Sequence, residues 1–341
     1  DADPQRYNQP EGWFRRCGRS GLVLPQVSLG CWHNFGAPGT DSQGIANEAD
    51  MHENCRQMLF SAFDRGITHF DLANNYGPPP GSAEERVGTI LTQDFASHRD
   101  ELIVSSKAGY GMWDGPYGDG GSRKYMIASC DQSLQRLKLD YVDIFYHHRP
   151  DSNTPIEESM GALDSIVRSG KAIYTGLSNY GPEETRRAIA ACDANGFARP
   201  VINQVSYSLL NRWVDDGLAD VCDELGLGII AFCPLQQGLL TPKYLNGIPA
   251  DSRAANEHGA LGRDSINEDV LAKVRALNDI AQDRNQSLTH LALQWVTRRM
   301  TVVSALIGAS RAEQVEDSAS IAEYNALTED TIAAIADALA D

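Results

Sequence analysis

Eight short apolar runs, alternating with segments of helical character, are the feature that most restricts how this chain can fold. Several runs are apolar almost throughout, which is typical of strands buried on both faces of a parallel sheet. In the segments between them, apolar residues recur at helical spacing. The runs are at 27–30, 68–72, 102–106, 142–146, 172–177, 201–204, 228–232 and 302–307. The helical segments are at about 52–65, 82–96, 122–137, 155–169, 182–194, 213–225, 267–284 and 312–324.

This strict alternation predicts an α/β fold, a (β/α)8 TIM barrel of parallel strands, as one domain over residues 1–341. A doubly wound open sheet has the same alternation and stays an alternative at this point. Residues 13–24 interrupt the pattern and predict an N-terminal hairpin that plugs the bottom of the barrel. Two long segments, 33–50 and 234–266, predict loops at the carboxyl-terminal face, and loops of such length are usually functional.

Helix ends are also marked in the sequence. Ser82 and Thr154 each begin a capping-box pattern, and Pro155 stands at the first helical position of the second. Glycines stand where four helices should end: Gly66, Gly170, Gly196 and Gly226.

Charge and cysteine content narrow the classes of partner. The net charge of −17 argues against nucleic acid and anionic membranes as general partners. No apolar run approaches the length of a membrane-spanning helix, and the first residues have no secretory apolar region. Seven cysteines, an odd number without a C-x-x-C pair, favour a reducing compartment over a disulfide framework. We therefore expect a cytoplasmic protein.

Polar residues gather at the ends of the predicted strands, which is where parallel barrels place their active sites. Taken singly, each has an ordinary explanation, such as a helix cap, a surface position or packing. Together they converge on one rim, from five strands and one following loop: Asp71, Tyr76, Lys107, His147, His148, Ser178, Asn179, Asn203 and Gln204.

Carbonyl reduction is the chemistry that uses such a set. Hydride addition builds charge on the carbonyl oxygen, which must be protonated. A tyrosine such as Tyr76 can donate that proton if the ammonium of Lys107 lowers its pKa. Asp71 would pair with the lysine, and His148 would donate a hydrogen bond to the oxygen. A metal site built from His147, His148 and Asp151 is disfavoured, because adjacent side chains on a strand point to opposite faces.

At these residues the chain resembles the aldo-keto reductases, over roughly residues 15–325. The motifs are ITHFDLANNYG at 67–77, SSK at 105–107, LDYVDIFYHHR at 139–149, GKAIYTGLSNY at 170–180 and NQVSYS at 203–208. The strings NNYGPPPGSAEE at 74–85 and GPYGDGGSRKY at 115–125 are most similar to a branch of bacterial L-glyceraldehyde 3-phosphate reductases. Potassium-channel β subunits are neighbouring relatives.

The resemblance implies a catalytic tetrad of Asp71, Tyr76, Lys107 and His148. It selects His148 over His147 because the family histidine stands seven residues after the tyrosine that is Tyr141 here. It also implies NADPH bound across the rim without a Rossmann motif, and the sequence contains no such motif after a strand.

The cofactor contacts implied by the resemblance run across the whole rim. Those to the nicotinamide are Ser178, Asn179 and Gln204 at the carboxamide, and Phe232 stacked on the ring. Those expected at the pyrophosphate are Leu235, Gly238, Lys243 and Arg253. Further cofactor contacts are Gly30, Cys31, Trp32, Cys233, Pro234 and Gln237. Those to the adenosine end are Gly308, Ser310, Arg311, Gln314, Asp317 and Ser318.

At the adenosine end, Ser310 and Arg311 are the candidates for the 2′-phosphate of NADPH. Where relatives have Glu-Asn around the adenine, this chain has the shorter Asp317 and Ser318. The expected walls of the substrate pocket are Trp32, Tyr76, Trp113, His148 and Tyr207. Arg123 and Lys124 are candidates for contact with a substrate phosphate.

The resemblance thus implies an NADPH-dependent reductase of small aldehydes, such as L-glyceraldehyde 3-phosphate or methylglyoxal, without a metal and with a tetramer or octamer as the expected assembly. A nucleotide-sensing regulatory subunit is the second hypothesis. The channel β subunits lack the family histidine and carry long N-terminal extensions, whereas this chain has His148 and a short N-terminal arm. These features favour the enzyme.

Overall fold

The computed structural model describes residues 2–245 and 266–340. An antiparallel hairpin, β1 (Phe14–Arg16) and β2 (Val23–Pro25), precedes the main sheet. The main sheet contains β3 (Val27–Gly30), β4 (His69–Asp71), β5 (Ile103–Ala108), β6 (Val142–His147), β7 (Ala172–Ser178), β8 (Ile202–Ser206), β9 (Gly228–Phe232) and β10 (Val302–Ile307). Neighbouring strands are parallel, and β10 pairs with both β9 and β3. The predicted closed barrel is confirmed, and the open sheet is excluded.

Helices follow the barrel strands and cover them. They are α1 (Glu48–Asp64), α2 (Ser82–Asp94), α3 (Arg123–Leu137), α4 (Ile156–Arg168), α5 (Pro182–Asn195), α6 (Leu218–Leu225), α7 (Glu268–Asp283), α8 (Leu288–Val296), α9 (Ala312–Ala319) and α10 (Glu329–Ala338). The sequence pattern did not predict α8 and α10. It also began α6 too early, because 213–215 form a separate 3-10 turn.

The four glycines that were predicted to end helices are confirmed, but the two predicted capping boxes are wrong. All four glycines have positive φ, between 65° and 75°. At α2 the N-cap is Gly81, and the Ser82 hydroxyl donates to the Pro79 carbonyl at 2.7 Å. At α4 the N-cap is Pro155, and the Thr154 hydroxyl donates to Asp151.

The predicted hairpin closes the end of the barrel at which the strands begin. Its Cys17, Leu22 and Leu24 are buried in one cluster with the strand residues Ile144, Tyr146, Ile202, Ile230, Val303 and Leu306. The Arg19 amide donates to the carbonyl of Gly226, just before β9. The opposite end, where the strands finish, remains available for a site.

The loop after β3 is tied to the segment after β10. The Asn34 side chain donates to the Ala309 carbonyl at 2.6 Å, and the Asn54 side chain donates to the Ser310 carbonyl at 2.9 Å. The Gln43 side chain also donates to the Ser310 carbonyl. This long loop therefore supports one side of the rim.

Arg253 and most of the predicted 234–266 loop lie outside the described residues.

Two general properties accompany this architecture. Within 2–245 and 266–340, no helix is long and apolar enough to cross a membrane. All seven cysteines are free thiols.

Candidate active site

A buried ion pair lies at the centre of the rim. Asp71 ends β4 and Lys107 lies near the end of β5, and both side chains are fully buried. The Lys107 ammonium is 2.5 Å from Asp71 Oδ2 and donates to the Leu72 carbonyl at 2.5 Å. Its third neighbour is the Tyr76 hydroxyl at 3.4 Å. The structure thus brings together three of the four predicted tetrad residues through one ammonium group.

The second oxygen of the Asp71 carboxylate is also held. The Ser105 hydroxyl donates to Oδ1 at 2.6 Å, and the Gln204 side-chain amide, from across the barrel on β8, donates to it at 3.0 Å. Gln204 was predicted to bind the nicotinamide carboxamide. In this structure its Nε2 contacts the Asp71 carboxylate, and its contact with the carboxamide stays a prediction.

A chain of buried polar side chains continues below Asp71, and sequence reasoning missed it. His69 lies between the hydroxyls of Ser28 and Ser105, with 2.9 Å to each ring nitrogen, and Ser28 contacts Ser304 at 2.6 Å. The chain therefore connects β10, β3, β4 and β5 beneath the ion pair. The available signal was strand alternation, since His69 is two residues before Asp71 and shares its face.

His148 is the fourth member of the group. Its imidazole lies 5.9 Å from the Tyr76 ring, edge to face, and its Nδ1 is buried without a protein partner. Burial, aided by the charge of Lys107, lowers the pKa of His148 well below its usual value, so the ring is neutral at pH 7. His147 points the other way and hydrogen-bonds the Tyr180 hydroxyl at 2.6 Å, as the alternation predicted.

The pKa of Tyr76 shifts in the opposite direction to the one expected. Burial, together with the negative charge of Asp71, raises the pKa of the Tyr76 hydroxyl well above 10. Burial also lowers the pKa of Lys107, although Asp71 opposes that change. Desolvation of tyrosinate therefore outweighs the nearby ammonium. Tyr76 holds its proton at neutral pH, which is the form that a proton donor requires.

Aromatic rings form one wall around the tetrad. Trp32 is 45% exposed and its ring lies 6.2 Å from Tyr76. Tyr110, which sequence reasoning missed, lies 4.7 Å from the His148 ring. The sequence signal that could have identified Tyr110 is its position three residues after Lys107, beyond the end of β5. The predicted Trp113 packs 5.1 Å from Tyr125, whose hydroxyl donates to the Tyr110 carbonyl.

Tyr207, expected in the wall of the substrate pocket, does not share these contacts, and its role there stays a prediction. It is buried with its ring 5.2 Å from Trp295 on α8. Its hydroxyl contacts Asp215 at 2.8 Å and Arg298 at 2.7 Å. The tertiary structure uses this tyrosine to join the segment after β8 to the outer helices.

The two candidates for a substrate phosphate are also placed elsewhere. The Arg123 guanidinium reaches α4, where it donates to the Ser165 hydroxyl at 2.7 Å. The Lys124 ammonium lies 5.2 Å from the ring centroid of the exposed Tyr117.

The backbone is strained in the rim segments that are predicted to contact the nicotinamide. Asn179 has φ of 60° and donates to the His148 carbonyl at 3.0 Å, next to the buried Ser178. Three further residues without the freedom of glycine have positive φ in the segment after β9: Cys233, Gln236 and Gln237. Gln237 Oε1 is buried without a partner. Such strain concentrates at ligand-binding loops, so this segment fits a cofactor.

The remaining predicted contacts on this side have these positions. Gly30 is opposite Asp71 in the β3–β4 ladder, and the Cys31 amide donates to the Asp71 carbonyl at 2.8 Å. Phe232 ends β9 and is half-buried. Pro234 is buried, Leu235 and Gly238 are half-buried, and Lys243 is exposed.

At the adenosine end, the segment before α9 has room for a phosphate. A Cβ added at Gly308 would meet no atom within 4 Å, and α9 begins without a side-chain cap at Arg311. The amide and hydroxyl of Ser310 both bond to Gln314 Oε1, while Arg311 is exposed. A helix start without a side-chain cap attracts anions, so this segment fits the phosphate end of a dinucleotide.

Asp317 and Ser318 point away from that end. Ser318 is buried and its hydroxyl donates to the Gln314 carbonyl within α9. Asp317 contacts His290 of α8 through its carbonyl at 2.9 Å and its carboxylate at 3.2 Å. The structure therefore places both residues in contacts within and between helices, and their contact with the adenine stays a prediction.

Sequence comparisons identify the same family that the four tetrad residues indicated. The model of the aldo/keto reductase family matches residues 27–340. The chain belongs to the aldo/keto reductase family. It is 54% identical over 322 residues to the L-glyceraldehyde 3-phosphate reductase of Escherichia coli strain K12, covering 93% of this chain and 89% of that protein. It is 34% identical over 308 residues to a probable voltage-gated potassium channel subunit beta of Oryza sativa subsp. japonica, covering 89% of each.

Membership of the aldo/keto reductase family makes this protein an oxidoreductase that uses a nicotinamide cofactor. Among the residues that the structure describes, no group of three or more His, Cys, Asp or Glu side chains is arranged to hold a metal ion.

Proposed function

We propose that this enzyme reduces small aldehydes, such as L-glyceraldehyde 3-phosphate or methylglyoxal, to alcohols with NADPH, and that Tyr76 donates the proton. The observation that carries the proposal is the buried Lys107 ammonium, 2.5 Å from Asp71 and 3.4 Å from the Tyr76 hydroxyl. The 54% identity to a protein named L-glyceraldehyde 3-phosphate reductase supports the substrate class.

The residues of the rim supply the proton chemistry. When bound, the nicotinamide supplies the hydride that adds to the carbonyl carbon. Tyr76 transfers its hydroxyl proton to the carbonyl oxygen, and the Lys107 ammonium balances the tyrosinate that is left. The neutral His148 donates a hydrogen bond to the same oxygen and stabilises its developing charge. Trp32 and Tyr110 limit the access of water to the reacting groups.

Preference for NADPH rests on the segment after β10. The residues proposed to hold its phosphates are Gly308, Ser310 and Arg311, at the uncapped start of α9. The exposed Arg311 is suited to the 2′-phosphate because a planar guanidinium can bind phosphate through two hydrogen bonds. Ser178 and Asn179 are proposed to hold the carboxamide, near His148.

A Tyr76→Phe variant tests the proton donor. We expect its turnover with methylglyoxal and NADPH to fall by at least about 100-fold, because the ring remains and only the proton is removed. Binding of NADPH, measured by quenching of tryptophan fluorescence, should change little. Tyr7→Phe is the matched control, since Tyr7 lies in the N-terminal segment and its hydroxyl contacts Glu101 instead of the tetrad.

Retained turnover in Tyr76→Phe would remove Tyr76 from the mechanism. A wild-type protein that binds NADPH but reduces no small aldehyde would instead favour the regulatory hypothesis. The 34% identity to a probable channel subunit motivates that second candidate. The family histidine, His148, favours the reductase.

A further inference from the structure

Arg149 directly follows His148 and is held against the aromatic wall of the site. Its guanidinium carbon lies 4.6 Å from the centroid of the Tyr110 ring. The same ring lies 4.7 Å from the His148 imidazole. Tyr110 is therefore in contact with both groups. The distance from the Arg149 guanidinium carbon to the centre of the His148 ring is at most the sum of these two distances.

The Arg149 guanidinium is held by Gly109 and Tyr110, and it also makes an exposed ion pair with Asp119. Its Nε donates to the Gly109 carbonyl at 2.8 Å, in addition to the stacking on Tyr110. Its Nη2 bonds the Asp119 carboxylate at 2.9 and 3.2 Å. This ion pair is exposed, with 39% of the Arg149 side chain and 54% of Asp119 accessible. Ion pairs this exposed contribute little stability, so an incoming anion can replace Asp119 at small cost.

The segment that carries Asp119 has several backbone positions suited to glycine. Asp119 stands between Gly118 and Gly120, and both Gly115 and Gly120 have positive φ. Asp119 bonds the guanidinium through Nη2, whereas the Gly109 contact uses Nε, so replacement of Asp119 by an anion leaves the Gly109 contact and the Tyr110 stacking in place. Arginine also matches the geometry of phosphate, which accepts two parallel hydrogen bonds.

Among the described residues, three other basic side chains near the site make contacts elsewhere. Lys107 is fully buried with Asp71, and the Arg123 guanidinium contacts α4. Lys124 lies over Tyr117. In a three-carbon aldehyde phosphate, four bonds separate the carbonyl carbon from phosphorus. If the carbonyl oxygen lies beside Tyr76 and His148, such a phosphate can extend past Tyr110 towards Arg149.

From these contacts we propose that Arg149 binds the phosphate group of a phosphorylated aldehyde and selects it over unphosphorylated aldehydes. The proposal rests on the reductase function stated above, and it names the substrate class of that site. Asp119 then acts as the partner that the phosphate displaces.

An Arg149→Met variant tests the proposal with two substrates, L-glyceraldehyde 3-phosphate and L-glyceraldehyde. Loss of a charge-assisted contact should lower kcat/KM for the phosphate by at least about tenfold, mainly through KM. The value for L-glyceraldehyde should stay within about twofold, because Arg149 takes no part in hydride or proton transfer. Arg149→Lys should recover part of the loss, since it keeps the charge without the planar fork.

Two further variants complete the design. Asp119→Asn removes the competing carboxylate and should lower KM for the phosphate alone. Arg123→Met is the matched control for loss of a nearby arginine, and both substrates should be unaffected by it. Equal losses on both substrates in Arg149→Met would assign Arg149 a structural role and overturn the proposal, as would a phosphate-specific loss in Arg123→Met.

The wild-type protein separates failure of this proposal from failure of the proposed function. Efficient reduction of L-glyceraldehyde without preference for its phosphate overturns the role of Arg149 and leaves the reductase function intact. Reduction of neither aldehyde overturns both.

Discussion

At the scale of single residues, burial governs the chemistry of the site. Lys107 and Asp71 are both removed from water, so each charge depends on the other for compensation. Burial lowers the pKa of Lys107, and it raises that of Tyr76. The sequence identified these residue types and their neighbourhood. It did not give the direction of the Tyr76 shift, because desolvation depends on all atoms packed around the hydroxyl.

The cost of an unpaired Lys107 can be measured in Asp71→Asn. We expect the free energy of unfolding to fall by about 3–5 kcal/mol at pH 7, because a buried ammonium loses its carboxylate. The loss should shrink as pH rises, since Lys107 can then become neutral. Urea unfolding followed by circular dichroism measures both effects.

Asp131→Asn is the matched control for Asp71→Asn. Asp131 pairs with Lys171 at 2.6 Å on the surface, with both side chains at least one-third exposed. Its loss should cost less than about 1 kcal/mol. A cost for Asp71→Asn as small as that of the control would contradict the account of the ion pair.

At the scale of elements, two turns in contact hold the hairpin on the barrel. A Cβ added at Gly18 would lie 2.0 Å from the Gly226 carbonyl oxygen, and Gly18 also has φ of 52°. Gly226 is the C-cap of α6, immediately before β9. The sequence marked Gly226 as a helix end, and Gly18 lies within the predicted hairpin 13–24. Their mutual contact was not visible in the sequence, because it joins positions far apart in the chain.

Gly18→Ala should therefore lower the free energy of unfolding by more than the cost of a positive φ alone. A left-handed conformation costs an alanine roughly 1 kcal/mol, and overpacking against backbone adds about 1–3 kcal/mol. Gly196→Ala is the matched control, since Gly196 has φ of 65° and open space around its Cβ direction. Equal losses in thermal unfolding of the two variants would show that the hairpin contact contributes nothing.

At the scale of the whole molecule, the barrel interior and rim contain histidines that are neutral when folded. Burial lowers the pKa of His69 to about 4 and that of His147 to about 4, and it lowers that of His148 well below its usual value. They lie on or directly after β4 and β6, and His69 belongs to the polar chain that leads to Asp71. Closure of the barrel around these rings therefore makes the fold sensitive to acid.

This sensitivity has a defined direction and pH range. Below about pH 6.5 these histidines bind protons in the unfolded chain but stay neutral in the folded barrel. The free energy of unfolding should therefore fall as pH drops towards 4. Each of His69 and His147 accounts for about 3 kcal/mol when the fall is complete. Urea unfolding at several pH values measures the slope. His69→Gln removes one titrating group and should reduce that slope, and an unchanged slope would exclude His69 as a contributor.

The parts of the site that could be predicted are those that depend on position along a strand. Asp71, Lys107 and His148 stand at strand ends, and parallel strands finish at one face of a barrel. Tyr110 and Arg149 were missed as a pair because they meet only when β5 and β6 lie side by side. Helix α8 was missed because it follows α7 without a strand between them and so lies outside the strand–helix alternation.

The sequence by itself determined the alternation of strands and helices, the hairpin, and the face on which the tetrad lies, whereas closure of the barrel was decided by the pairing of β10 with β3. The first three follow from local periodicity and from chain order, both of which are properties of the sequence alone. Only the tertiary structure decided how Gln204 and Ser105 hold Asp71, where Tyr207 packs, and that Tyr76 keeps its proton. The physical reason is that burial and contacts across strands depend on barrel register and on packing between distant segments.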